Sequence, residues 1–292
     1  MDARRRAPLR RGPNARNNPA REAFGSPARF YFLPWSGSLF GGGVHPSHLP
    51  MATVFLDLYG VLVDGRAMEV AYSDRMAAIF HREFGGDLAT WRRVQEESYV
   101  RYQAQGAALD RRDGRDREGE PWVRAVWDIN ADQVRFVLNR MGVSVPPDLL
   151  PYAERVEEET VRGIDAIFPD VRPALDALRA AGHRLFLSTN ANRSNAESAL
   201  IGGGIREAFD GLAMLETARA KKDRAHYWRR AFELAATREA VVVVDDEARY
   251  LVPPGEMGAR CVQVIRPGRP RGRGAFPVID SLAALPDFVG AV

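Results

Sequence analysis

The sequence predicts an α/β protein in which a parallel sheet carries an inserted helical domain. Three observations predict it. Short apolar runs rich in β-branched residues recur through the second half of the chain. Amphipathic, helix-period segments alternate with them, which is the signature of a parallel sheet covered on both faces. Roughly 120 residues separate the first two runs, far more than an ordinary crossover needs.

The first strand is Thr53-Val-Phe-Leu-Asp57, beginning just after Met51. The others are Arg184-Leu-Phe-Leu-Ser188, Leu212-Ala-Met-Leu215, Ala240-Val-Val-Val-Val-Asp245 and Cys261-Val-Gln-Val-Ile265. Each is too short for a helix and too continuously apolar for a strand with one wet face. Helices are expected at Val171–Ala181, closed by Gly182, and at Asn195–Ile201 and Ala225–Ala236. Together these give a Rossmann-like core of residues 51–65 and 164–292.

The insertion, residues 66–163, reads as a helical cap. Ser73 is placed to cap a helix carrying Met76, Ile79, Phe80 and Phe84, stopped by Gly85-Gly86. A second helix is expected from about Asp87 through Trp91 and Tyr99, a third opening at Pro121, and a fourth over Gln133–Met141. The charged run Asp110–Glu120 reads as a solvated loop. Trp122 and Trp127 are expected in the core of the cap rather than as substrate stackers.

Composition excludes several function classes. No apolar run approaches the roughly 18–20 residues of a membrane span. A single cysteine, Cys261, forbids an intramolecular disulfide framework and fits a reducing, cytoplasmic setting. The five histidines are scattered, with no zinc spacing. Of the net charge of +3, residues 1–50 contribute +6 (eight arginines against Asp2 and Glu22), leaving −3 for the rest. The basic character therefore belongs to the tail, and the folded part is not expected to bind nucleic acid. That tail lacks an apolar period and reads as disordered. A targeting peptide, a basic arm for an acidic partner, and a true start at Met51 all stay open as explanations.

Chemistry-bearing residues fall at strand ends, where ligands gather in such sheets. They are Asp57-Leu-Tyr-Gly-Val-Leu-Val-Asp64, Ser188-Thr-Asn190, Lys221-Lys222-Asp223 and Asp245-Asp246. A carboxylate nucleophile, a hydroxyl, an ammonium and a carboxylate pair on one edge suit a metal-assisted displacement on a charged small molecule. Asp64 is expected to cap or steady the turn, and Gly202-Gly-Gly204 to end a helix, since no Lys-Ser/Thr follows it.

Four such motifs in order, with Phe168-Pro-Asp-Val-Arg-Pro-Ala-Leu before the second strand, resemble the haloacid dehalogenase (HAD) superfamily over Met51–Val292. The resemblance implies that Asp57 is the nucleophile. It implies Mg²⁺ held by Asp57, the Tyr59 backbone carbonyl, Asp245 and Asp246. Thr189 and Asn190 would bind a phosphoryl oxygen, and Lys221 would neutralise charge through Lys221-x-Asp223-x-x-x-Tyr227, with Lys222 as the substitute. The chain has 39 arginines and only these two lysines, which favours a dedicated role for a compact ammonium.

One position departs from the phosphatase pattern. Family phosphatases carry a second Asp two residues after the nucleophile as general acid and base, and here Tyr59 stands in its place. Asp-x-Tyr resembles the metal-independent 2-haloacid dehalogenases, and Trp91-Arg92-x-x-Gln95 resembles their cap segment with a substrate-binding arginine, Arg92. Asp245-Asp246 resembles the metal-binding branch instead. Three expectations follow. The first is a Mg²⁺-dependent phosphatase for a small ester, whose leaving group is of low pKa. A metal-free dehalogenase is the second. The third is a weakly active domain that serves as a binding module.

Overall fold

The computed structural model describes residues 51–111, 118–237, 239–269 and 274–291. The basic tail and most of the Asp110–Glu120 run lie outside the described residues. The five expected strands form within a residue or two of their expected bounds: β1 (Ala52–Leu56), β2 (Arg184–Ser188), β3 (Gly211–Ala213), β4 (Ala240–Asp245) and β5 (Arg260–Val264). A sixth, β6 (Val278–Ile279), adds a two-residue edge too short to leave a sequence signal. All neighbours pair in parallel, in the order β3-β2-β1-β4-β5-β6.

Alternate residues of each strand point to opposite faces. Val54, Leu56, Leu185, Leu187, Val242 and Val244 enter one apolar cluster, while Phe55, Phe186 and Val243 enter another with Tyr227 and Trp228. Both faces are thus covered, which is why the runs are apolar throughout.

Between β1 and β2 stand four long helices: α1 (Gly65–Phe84), α2 (Leu88–Asp110), α3 (Gly119–Arg140) and α4 (Leu149–Arg162). The rest are α5 (Val171–Ala180), α6 (Arg193–Gly202), α7 (Leu215–Ala218), α8 (Ala225–Ala235), α9 (Ala248–Glu256) and α10 (Leu285–Gly290). No described helix is long and apolar enough to cross a membrane.

The insertion differs from expectation at three places. Its first helix starts at Gly65, two turns before Ser73, because the Asp64 carboxylate accepts from the amides of Arg66 and Ala67. The expected third and fourth helices are one, α3, with Pro121 in its first turn. Its mid-helix polar residues bond sideways instead of breaking it: Asp132 accepts from Gln105 at 2.8 Å, and Asn130 donates to Glu157. The third difference is α4, whose strongly charged exposed face hides a buried stripe of Ala153, Val156, Thr160 and Val161. Trp122 and Trp127 are buried beside Leu109, Val123 and Leu215, as expected. Gly202–Gly204 ends α6, where a side chain on Gly202 would strike the backbone carbonyls of Arg162 and Ile164.

Candidate active site

Strand register assembles the site. Leu56 pairs with Val244, and the Asp57 amide donates to the Val244 carbonyl at 3.0 Å, so Asp57 and Asp245 leave the sheet side by side. Asp246 follows, its carbonyl held by Gln263 of β5 at 2.8 Å. Carboxylate oxygens of Asp57, Asp245 and Asp246 all lie within 4.8 Å of one another. Gly60 makes this approach possible. Its φ is +87°, and a Cβ there would overlap the Asp246 carboxylate.

The lysine that meets these carboxylates is Lys222, not Lys221. Lys222 Nζ bonds Asp57 and lies 2.6 Å from Asp245 Oδ2, with the Ser188 carbonyl at 3.4 Å. Its backbone is fixed from two sides: the amide donates to Asn190 Oδ1 at 2.9 Å, and Trp228 Nε1 donates to the carbonyl at 2.8 Å. Lys221, the adjacent residue, turns the other way and pairs with Asp110 at the end of α2. Tyr227 supports the turn from below, its Oη 2.7 Å from the Ala213 carbonyl.

Thr189 and Asn190 come to the same cavity, about 300 Å³, which Asp57, Lys222, Asp246 and Tyr250 also line. Thr189 Oγ1 accepts from the Ala191 amide at 3.2 Å, which leaves its own proton free to donate. Arg92 does not arrive. It pairs with Asp74 at 3.0 Å, half-exposed on α2, and does not line the cavity that holds Asp57 and Lys222.

Electrostatically the site is short of positive charge. Burial, then the neighbouring carboxylates, push the Asp57 carboxyl up, against the pull of Lys222. Asp246 is pushed up to about 6 by burial and by Asp245. Burial works against the Lys222 ammonium, but Asp245 and Asp57 more than offset it and keep it protonated. One ammonium cannot neutralise three carboxylates, and hard oxygen donors at this spacing suit a divalent cation such as Mg²⁺. The residues present therefore fit a metal.

The Tyr59 hydroxyl is engaged by Asn195, although Tyr59 lines the same cavity as Asp57. Its Oη donates to Asn195 Oδ1 at 2.6 Å, and burial followed by Glu157 holds the phenol well above its usual value. A neutral phenol so held is no base near pH 7.

A family model described as haloacid dehalogenase-like hydrolase matches residues 51–251. The chain belongs to the haloacid dehalogenase-like hydrolases. Among curated relatives of this haloacid dehalogenase-like hydrolase, the enolase-phosphatase E1 of Frankia alni is 36% identical over 41% of this chain and 52% of its own. That of Nocardia farcinica is 30% identical over 52% of this chain and 72% of its own. The chain thus spans about half the length of the first of these relatives. In fold, a solved L-2-haloacid dehalogenase superimposes with a TM-score of 0.57 at 18% identity, over 83% of this chain and 100% of that one.

Two features of the site were not legible. Tyr250 lies with its ring centroid 4.8 Å from Lys222 Nζ, and Glu157 reaches Tyr59 through Asn195. Neither belongs to a sequence motif. Only the convergence in space of Asn130, Asn192 and Asn195 on its carboxylate reveals Glu157.

Proposed function

We propose that this haloacid dehalogenase-like hydrolase is a Mg²⁺-dependent phosphomonoesterase working through an aspartyl phosphate on Asp57. The observation that carries the reading is the convergence of Asp57, Asp245 and Asp246 on one spot with a single ammonium. The two enolase-phosphatase relatives support a phosphate ester as substrate.

An Asp57 carboxylate oxygen forms a bond to phosphorus as the ester P–O bond breaks, and the leaving oxygen departs with its electron pair and takes a proton from water. Water then attacks the phosphorus of the acyl phosphate, releasing phosphate and restoring the carboxylate. Lys222 spreads the charge that builds on Asp57 and the transferring group, and Thr189 and Asn190 hold its oxygens. Mg²⁺, held by Asp57, Asp245, Asp246 and the Tyr59 carbonyl, would shield the anionic ester from the anionic nucleophile. The insertion closes the site as a cap. We assign the cap to residues 66–163 and the core to residues 51–65 and 164–292, and place the protein in a cytoplasmic, reducing setting.

The test is phosphate release from a phosphomonoester panel and halide release from 2-haloacids, each with Mg²⁺ and with chelator. Phosphate release that stops on chelation is the expected result. Halide release indifferent to chelator would instead select the dehalogenase reading that Asp-x-Tyr brings, and silence of both would leave the binding module.

A further inference from the structure

A second cavity of about 260 Å³ adjoins the catalytic one, and Tyr59 and Gly65 line both. Four tyrosines, Tyr59, Tyr72, Tyr99 and Tyr102, form its walls, with Glu157 and Glu69. Tyr72 and Tyr99 lie 6.0 Å apart between centroids, and Tyr99 and Tyr102 6.1 Å, so three of the rings follow one another along the wall. Among the described residues, no lysine, arginine or histidine lines this cavity.

Glu157 is the unusual member. It is 5% exposed, yet its carboxylate takes only neutral partners: Asn195 Nδ2 at 3.0 Å, Asn192 Nδ2 at 3.5 Å, and Asn130 Nδ2. No ion pair reaches it among the described residues. Amides satisfy the lone pairs but leave the charge uncompensated, and a buried charge is ordinarily paired. The side-chain oxygen of Asn130 is itself buried with no donor. Aromatic faces above a carboxylate are the chemistry of a cage for an organic cation.

We infer that this chamber receives an ammonium group on the leaving side of the substrate, so that the preferred ester is the phosphate of an amino alcohol. The inference rests on the phosphatase reading above. It also addresses the tyrosine at the position of the missing acid. An ammonium a short chain away from the ester oxygen lowers the pKa of the departing alcohol, which reduces the need for a protein acid.

The experiment compares phosphocholine with its uncharged isostere 3,3-dimethylbutyl phosphate, at saturating Mg²⁺. A kcat/KM ratio of about tenfold or more in favour of phosphocholine is expected, falling towards one in both Glu157→Gln and Tyr102→Leu. A ratio near one in the wild-type protein would overturn the inference while leaving the phosphatase reading intact. Calorimetric titration of the wild-type protein with tetramethylammonium reads the chamber without turnover. Millimolar binding weakened severalfold in Tyr102→Leu supports the chamber, and no binding overturns it. Failure to release phosphate from any ester, p-nitrophenyl phosphate included, would fail the phosphatase reading by itself.

Discussion

Adjacent lysines 221 and 222 part company because consecutive side chains leave the backbone in different directions. Sequence identifies the pair but cannot choose between them. The choice is made by Asn190 and Trp228, which grip the Lys222 backbone and aim its ammonium at Asp57. Replacing Lys222 by Met should lower kcat for phosphate release by at least about 10²-fold, the usual cost of losing a charge stabiliser. Lys221→Met should cost clearly less, because Lys221 reaches Asp110 of the insertion rather than Asp57. Steady-state kinetics on both variants decides it, and the reverse order would return the role to Lys221. Gly60 bears on the same centre. Gly60→Ala sets a methyl into the Asp246 carboxylate at a φ of +87°, so the Mg²⁺ concentration for half-maximal activity should rise about tenfold or more. Asp57, Thr189, Asn190, Asp245 and Asp246 were legible because each ends or follows an apolar run whose register the sheet enforces. Arg92 was misread for the converse reason: one turn of helix fixes spacing but not which face meets the site, and its face meets Asp74.

Elements built from strands followed their sequence closely, and those of the insertion did so less. A strand buried on both faces must be apolar at every position, so its bounds are written in composition. Helices of the insertion bury only a stripe, and polar residues inside it, such as Asn130 and Glu157, satisfy one another across helices and imitate breaks. Asp170 shows an element junction that sequence cannot express. Its Oδ2 accepts from Arg266 at 2.5 Å, from the Ser281 hydroxyl at 2.7 Å and from the Leu282 amide at 2.7 Å. It thereby ties the start of α5 to the exit of β5 and to the turn before α10. Burial opposes the carboxylate, but Arg266, Ser281 and the Leu282 amide together hold its pKa below the ordinary value of 3.8. A depressed folded pKa means that the unfolded chain binds the proton first. The stabilisation is therefore complete above the unfolded value and lost as pH falls through the folded one. Asp170→Asn should lower stability at pH 7 by about 2 kcal/mol, in the range for hydrogen bonds to a charged group. Urea unfolding should show that gap to the wild-type protein narrowing below about pH 4. A gap independent of pH would mean that the carboxylate's charge contributes nothing there.

At the scale of the molecule, the insertion meets the sheet domain next to the segment that carries Lys222. Lys221 pairs with Asp110, Trp127 Nε1 donates to Glu216 at 3.1 Å, and the Gly119 amide donates to the Arg219 carbonyl at 2.7 Å. Beside them the carboxylates of Asp57, Asp245 and Asp246 repel one another in the folded state and separate when the chain unfolds. The fold thus carries a local cost that a divalent cation would remove, so a cation that serves the proposed reaction would also stabilise the fold. A ligand bound by the folded state alone stabilises it by about 2.7 kcal/mol at a hundred times its Kd. Thermal unfolding of the wild-type protein should therefore shift upwards by several degrees with millimolar Mg²⁺ and return with chelator. Asp246→Asn should behave oppositely in the two conditions. Without Mg²⁺ it should unfold no earlier than the wild-type protein, because a carboxylate pushed up to about 6 by burial and Asp245 has been removed. With Mg²⁺ it should gain little. A wild-type melting curve unmoved by Mg²⁺ would show that the three carboxylates, close as they are, hold no ion.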